Sequence, residues 1–453
     1  MTRPYRDIPE PPRDHPLLGH LPAWVGWENA TRVLERMLGY AEVCGPLSRV
    51  SLGPVKMLVI SDAELASAAL SDPRANYKGA SYVLTRAVLD NVLLLNGQAW
   101  ESHRALYRKA LKNVDAVAAA RRVTETTVGR WLEEPGTRRL DRDVLSLVGN
   151  IVGSFVAGVP ITEGFEPHRH RVQYELAAIG IDLLCQPWTF ASPQRWIEMR
   201  RSVKEARRFF RRAVDARMHR PDPGARDVLN GFLSLAESGA YPSDPASIQD
   251  GVVNFFFTAH DVLASSTAWT LQLLATHPEV QSRLRDVLRD GTPIEAEAEL
   301  ERVVKEGLRL FPGYGLFGRT VQEDMELGGH WIPKGTLLIV SPFVTHRLER
   351  YWPRARDFDP DRWKDRPRGT PPAAARDHYL PFGAGARACL ASHLAFPIVE
   401  TVVREVVTRC ELSADPGRDP GILYWGTSYP RHGMPITLRP VQRPRPDEAR
   451  RVA

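Results

Sequence analysis

The sequence has few cysteines, few lysines and no long apolar run. Four cysteines in 453 residues exclude a disulfide scaffold and point to a reducing compartment. Eight lysines stand against 52 arginines, so Arg carries the net charge of +6 and the pI of about 9.2. That bias reads as the mark of a GC-rich genome, not of nucleic-acid binding. No stretch reaches the roughly 18–20 apolar residues that span a bilayer. The most apolar one, 252–274, is broken by Asn254, His260 and Asp261 and reads as a buried core helix. No apolar segment follows the charges of residues 1–13, so no targeting signal is read there. The chain is expected in the cytoplasm, off the membrane and without nucleic acid. What is present is ordinary: 43% hydrophobic and 25% charged residues exclude a disordered chain, a collagen and a coiled coil.

Proline is abundant, and its positions punctuate the chain. Residues 1–25 form a Pro-rich lead-in. Residues 29–44 read as a helix, and 47–61 as a β-hairpin turning at Gly53-Pro54. From 62 to 290 the text is almost entirely helical. Apolar spacing of i, i+3, i+4 predicts helices at 100–111, 114–131, 141–156, 168–184, 193–218 and 248–276. A further helix, 297–310, ends at Pro312. Strands are expected within 325–332 and 336–341, a Pro/Ala-rich loop at 366–377, and a last helix at 389–410 before a β-rich tail. Length alone suggests about three domains. The absence of repeats and interior linkers predicts instead one helix-rich domain over 1–453, mainly α with small β-sheets (α+β).

The chemistry concentrates in PFGAGARACLA, residues 381–391. Phe382, Gly383 and Gly385 predict a tight turn where backbone approaches something closely. Arg387 is a cation two residues before Cys389, and Cys389 is expected to open the last helix. A helix N-terminus and a nearby cation both favour thiolate. A thiolate held in this way is a nucleophile or a metal ligand. No CxxC accompanies it, which argues against zinc; a single axial thiolate suits a haem iron. A free cysteine is ordinarily a small buried hydrophobe, and Cys44, Cys185 and Cys410 are read that way.

The pattern formed by Phe382, Gly385, Arg387 and Cys389 resembles the haem loop of the cytochrome P-450 family, with Ala391 where Gly is more usual. The resemblance implies haem b (iron protoporphyrin IX) with Cys389 as the axial ligand of its iron, a ligand that favours O–O cleavage. Further motifs follow in order. Glu306 and Arg309 in KEGLRLFP are similar to the family's ExxR pair, and Arg362 in FDPDRW to the Arg that joins it; taken alone, the pair reads as a helix-surface ion pair worth ~0.2–0.5 kcal/mol. Trp100 and Arg104 in WESHR, with Arg319 and Arg387, match positions that contact the haem carboxylates, for which Arg is well suited. His346 in HRLERYW also matches, with a carboxylate contact or packing both open as its role. The implied fold is that of the family, one haem between the long central helix and the Cys loop.

The pattern breaks on the oxygen side. The family's (A/G)Gx(D/E)T falls on Thr258, Ala259, His260, Asp261 and Val262, so Val262 stands where Thr belongs. That Thr holds water, passes protons during oxygen activation and competes for a backbone carbonyl. Val offers neither donor nor acceptor. Protons could instead come from Asp261 through water, from Thr258 on the same helix face, or from a substrate hydroxyl. Three readings follow. The first is a monooxygenase that hydroxylates or otherwise oxidises a hydrophobic small molecule in bacterial secondary metabolism, such as antibiotic biosynthesis. The second is a haem-thiolate enzyme with atypical chemistry: peroxide-driven, group-transferring, or cyclising or rearranging its substrate. The third is a non-catalytic helper protein, against which the presence of Cys389 speaks.

By resemblance, the pocket draws on Tyr82, Val83, Phe256, Ala259, Leu316, Phe317 and Trp425, an apolar set suited to a hydrophobic ligand. No reductase is read at the end of the chain, so electrons are expected from a separate ferredoxin and ferredoxin reductase. A basic face near the Cys loop would suit an acidic ferredoxin.

Overall fold

The computed structural model describes residues 2–24, 32–79, 92–93, 95–161, 193–364 and 378–441. The predicted helix at 168–184, the loop at 366–377, Cys185, Tyr82 and Val83 lie outside them.

Among the described residues, eleven helices have nine or more residues: α1 (Val33–Cys44), α2 (Ala63–Ser71), α3 (Gly97–Ala110), α4 (Ala116–Glu133), α5 (Leu140–Ala157), α6 (Pro193–His219), α7 (Val228–Glu237), α8 (Pro245–Thr276), α9 (Pro278–Asp290), α10 (Pro293–Leu310) and α11 (Ser392–Arg409). Proline sets several ends. In α8, Pro245 takes the first position, where its missing N–H costs nothing. Asp244 accepts from the Ala246 and Ser247 amides at 3.1 and 2.9 Å, an N-cap worth ~1 kcal/mol. In α10, Thr292 and Glu295 form a reciprocal capping box ahead of Pro293. Most of α8 is buried on every side, which is why its apolar residues show no single face.

The strands are short. β1 (Leu47–Leu52) and β2 (Val55–Ile60) form the expected hairpin. It joins β7 (Leu337–Val340) in parallel, Met57 opposite Leu337, and β4 (Phe317–Thr320) closes the sheet antiparallel to β7. β3 (Gly136–Arg139), β11 (Pro435–Pro440) and β8 (Cys410–Ser413) make a second sheet. The remaining strands pair as β5 (Met325–Leu327) with β6 (His330–Ile332), and β9 (Ile422–Trp425) with β10 (Thr427–Pro430).

Two expectations change. The last helix begins at Ser392, not at Cys389. The preceding residues are spent on a turn whose glycines take positive φ: Gly383 at 71° and Gly385 at 68°. A Cβ at Gly385 would lie 2.1 Å from the Leu70 carbonyl oxygen, so only glycine lets this loop meet the end of α2. The helices α7 and α9 and the strand β4 also fall where no separate element is expected from the spacing.

Candidate active site

The cysteine loop is fixed by backbone hydrogen bonds. The Gly383 amide donates to the Leu380 carbonyl at 3.1 Å, and the Cys389 amide to the Phe382 carbonyl at 2.8 Å. Arg104, from α3, donates to the Ala388 carbonyl at 2.7 Å. Cys389 keeps accessible surface, yet the protein around it pushes its thiol up. The sulfur is thus accessible yet set among protein atoms. Burial outweighs the Ala391 backbone and the Arg104 guanidinium, which both pull the thiol down. The cation facing the sulfur is therefore Arg104, not Arg387, and Cys389 precedes the first residue of α11 by three positions. The sequence-based account of a thiolate made by Arg387 and a helix end does not hold. A bound cation deprotonates a ligating thiol outright, and this thiol suits that route. Cys44 and Cys410 are buried, with burial pushing Cys410 up to about 11; they are inert core residues.

Arg387 turns the other way. Its guanidinium lies 4.4 Å over the Trp100 ring. It donates to the Asn76 side-chain oxygen at 2.8 Å, the Leu95 carbonyl at 2.8 Å and the Asn96 side-chain oxygen at 3.0 Å. The same Asn96 oxygen accepts from the Lys78 amide at 2.8 Å. Lys78 Nζ and Arg319 both donate to the Gly318 carbonyl, at 3.4 and 2.8 Å. Burial, with Arg319 and Arg387 close by, holds Lys78 well below the usual ammonium range. Three cations thus gather where desolvation opposes charge. A dianionic group with two carboxylates answers that electrostatic demand, and haem carries such a pair. The residues fit it: Cys389 for the iron; Lys78, Arg319, Arg387 and the Trp100–Arg104 pair, with Arg104 stacked 5.7 Å over the Trp100 ring, for its carboxylate edge. Lys78 had no signal in the sequence. A lone Lys in RANYKGA matches no motif, and only the fold brings it beside residues 318 and 387.

Behind the loop lies a buried ion cluster. Glu306 and Arg309 are fully buried. Glu306 accepts from Arg309 at 2.8 and 2.9 Å, from Arg362 Nε at 2.9 Å, from Trp363 Nε1 at 2.9 Å and from the Asp359 amide at 3.0 Å. Arg309 donates onward to the carbonyls of His346 and Ala355, both at 2.6 Å, and of Asp357 at 3.0 Å. Every lone pair and N–H of consequence is used, the condition under which a buried pair is tolerated.

The central helix α8 offers a different surface. Between residues 251 and 272, only Thr258, Ala259 and Val262 keep partial exposure. They are i, i+1 and i+4, one face of the helix. Val262 packs into the space left by Gly313, whose Cβ would sit 2.3 Å from Val262 Cγ1. From Gly313 the chain runs through Tyr314, Gly315 and the partly exposed Leu316 to Phe317. The Phe317 ring lies 3.4 Å from where a Gly383 Cβ would be. This path links the open patch of α8 to the cysteine loop. α8 continues as a helix through Val262.

The Thr258 hydroxyl and one oxygen of Asp261 are otherwise engaged. Thr258 donates to the carbonyls of Asn254 and Phe255 at 2.8 and 3.1 Å. Asp261 is 1% exposed; it accepts from the Tyr429 hydroxyl at 3.1 Å, and the His260 Nδ1 stands 2.8 Å from its other oxygen. Ser265 and Trp269, one and two turns on, both donate to the Ser428 carbonyl, at 2.7 and 2.8 Å. The stripe 261, 265, 269 therefore docks β10. Phe256 is not a pocket residue. It is fully buried and packs on Phe210, Phe257 and His260. Trp425 lies in β9. A surface cleft of about 550 Å³ lined by Tyr5, Arg49, Lys56 and Pro333 takes no residue from either side of the site.

The family model Cytochrome P-450 matches residues 9–429. A cyclooctat-9-en-7-ol 5-monooxygenase of Streptomyces melanosporofaciens is 28% identical over 90% of each chain. A cytokinin hydroxylase of Arabidopsis thaliana is 26% identical over 77% of this chain and 72% of its own. Among solved structures, retinoic acid-bound cyanobacterial CYP120A1 superposes with a TM-score of 0.78 at 17% identity, over 97% of this chain and 100% of that one. A six-coordinated cytochrome P-450 of Thermus thermophilus gives 0.67 at 23% identity, over 90% and 98%. Among the described residues, no helix is long and apolar enough to cross a membrane. The chain belongs to the cytochrome P-450 family of haem-iron monooxygenases.

Proposed function

We propose that this enzyme oxidises a hydrophobic small molecule of bacterial secondary metabolism, with Cys389 as the iron ligand. The supporting observation is the pairing of an accessible Cys389 with the desolvated cation cluster of Lys78, Arg319 and Arg387. When bound, haem supplies a thiolate-ligated iron able to activate oxygen. The protein does the rest. Arg104 holds the Ala388 carbonyl and faces the sulfur. Ala259, Val262, Leu316 and Phe317 present apolar surface to the substrate. The relative named for cyclooctat-9-en-7-ol supports an alicyclic substrate class. Electrons come from a separate ferredoxin and its reductase in the cytoplasm.

One observation favours a second reading, turnover driven by peroxide or by a weak bond in the substrate. Val262 has no polar atom, the Thr258 proton is engaged by helix carbonyls, and Asp261 is buried against β10. No hydroxyl proton on the open patch of α8 is free. In a monooxygenase the proton then enters through water or a substrate hydroxyl. A reduced CO difference spectrum and paired turnover assays test both readings. A thiolate-type Soret band and product formed with ferredoxin, reductase and O₂ are expected. Product formed with peroxide alone, and never with reductant, would establish the second reading; no thiolate band at all would leave a helper protein.

A further inference from the structure

His346 is fully buried and lies outside the cation cluster that faces the haem carboxylates. Its two ring nitrogens have unambiguous roles. Nδ1 stands 3.0 Å from the Arg309 carbonyl, and a carbonyl only accepts, so Nδ1 carries the hydrogen. Nε2 stands 2.8 Å from the Leu380 amide, and an amide only donates, so Nε2 is bare. The ring is a neutral imidazole in one tautomer. Its surroundings keep it so: burial, with Arg309 and Arg347 alongside, pushes it down to about 3. Tyr379 stacks on the ring at 5.4 Å and Trp352 meets it edge-on at 6.2 Å.

Both partners are backbone groups at strategic ends. Arg309 is the penultimate residue of α10, where carbonyls run out of helix partners. Leu380 starts the cysteine loop: its carbonyl accepts from Gly383, and the adjoining Phe382 carbonyl accepts from Cys389. In return Arg309 donates to the His346 carbonyl at 2.6 Å. A closed circuit therefore runs from the Glu306–Arg309 pair through His346 to the backbone that carries the sulfur. We infer that His346 is a positioning residue that sets the cysteine loop against α10 and keeps Cys389 seated as a thiolate ligand. A ring with a donor and an acceptor on adjacent edges bridges an N–H and a C=O at once. A carboxylate cannot donate, and an aliphatic side chain does neither, leaving a buried N–H and C=O without partners.

The inference rests on Cys389 binding iron, so the wild-type holoenzyme is read first. A wild type with no thiolate-type band in its reduced CO complex defeats the proposed function itself, whatever the variants do. Given that band, the rate at which it converts to the thiol-type band in mild urea is compared across variants at equal haem content. H346L is expected to convert at least about tenfold faster, the effect of leaving two buried backbone groups, the Leu380 N–H and the Arg309 C=O, without partners. H346Q, whose amide can accept and donate across the same gap, is expected to recover most of the lifetime. H346N, one methylene shorter, should fall between. An H346L lifetime equal to wild type, or an H346Q lifetime as short as that of H346L, would overturn the assignment. If H346L does not fold, H346Q is compared with H346N, and equal lifetimes would overturn it. Equal losses of thermal stability with unchanged band lifetimes would reduce His346 to a packing residue and also defeat the proposal.

Discussion

The two sides of the site are built on opposite terms. On the cysteine side, polar groups are densely bonded: Glu306 alone accepts five hydrogen bonds, and Arg387 ties two segments, at Asn76 and at residues 95–96, to the loop. On the α8 side, the open surface is Thr258, Ala259 and Val262, with the single hydroxyl turned back into its own helix. Holding a charged ligand demands charge and hydrogen bonds placed without slack. Accepting an apolar substrate demands the reverse, a surface that makes no polar claim. The contrast explains how one chain keeps a family's loop while losing a family's Thr: the loop is anchored from many elements, and the lost hydroxyl sits where few contacts depend on it.

The contrast can be broken at its strongest point first. Glu306→Ala removes the acceptor of five hydrogen bonds and leaves Arg309 buried without its carboxylate, so stability should fall by about 3–5 kcal/mol. Urea unfolding measures it; a loss below 1 kcal/mol would mean that the cysteine side is not rigidly anchored. Next, Lys78→Met keeps the length of the side chain and deletes its charge. A charge-assisted bond contributes about 1.5–3 kcal/mol, so haem transfer to an acceptor globin should quicken at least tenfold. An unchanged rate would remove Lys78 from the carboxylate edge.

The third test uses pH. The folded state holds His346 at about 3, below its ordinary 6.5. The unfolded chain therefore binds more protons between those values, and stability falls as pH drops from 6.5 toward 3. The slope from this one group approaches about 1.4 kcal/mol per pH unit. H346Q should lack that component, so its urea midpoint should depend less on pH between 6 and 4 than that of wild type. Parallel curves would contradict the neutral, buried imidazole. The smallest effect belongs to the α8 side. Val262→Thr changes one methyl into a hydroxyl beside Gly313, and stability should move by no more than about 1 kcal/mol. The fraction of reductant that ends in product should rise. A fall in coupling would show that the open patch is tuned to be apolar.

Much of this was legible in the sequence where pattern and structure share a period. The hairpin at 47–61 and the helices flanked by proline follow from spacing, whereas Trp100, Arg104, Glu306, Arg309, Arg362 and Cys389 were legible only through motifs that resemble the cytochrome P-450 family. Direction was not legible. Arg387 is two residues from Cys389 in sequence, yet its guanidinium reaches Asn76 and Asn96, because a turn of positive-φ glycines decides where it points. Phe256 could not be placed either. On a helix buried all round, apolar periodicity carries no face, and the three consecutive phenylalanines 255–257 were equivalent until neighbours were known. Lys78 was silent because its environment comes from segments some 240 and 310 positions away.

The parallel pairing of β2 with β7 has a consequence for synthesis. Met57 waits for Leu337, about 280 residues later, which at ~5–20 residues per second is roughly 15–60 s of translation. Throughout that interval the emerging hairpin has one edge without its permanent neighbour, and open edges invite mispairing. The cysteine loop leaves the ribosome later still. Yield of this enzyme in a foreign host should therefore depend on how that early edge is shielded, and slower elongation or a scarce chaperone should cost more soluble product than any shortage of haem.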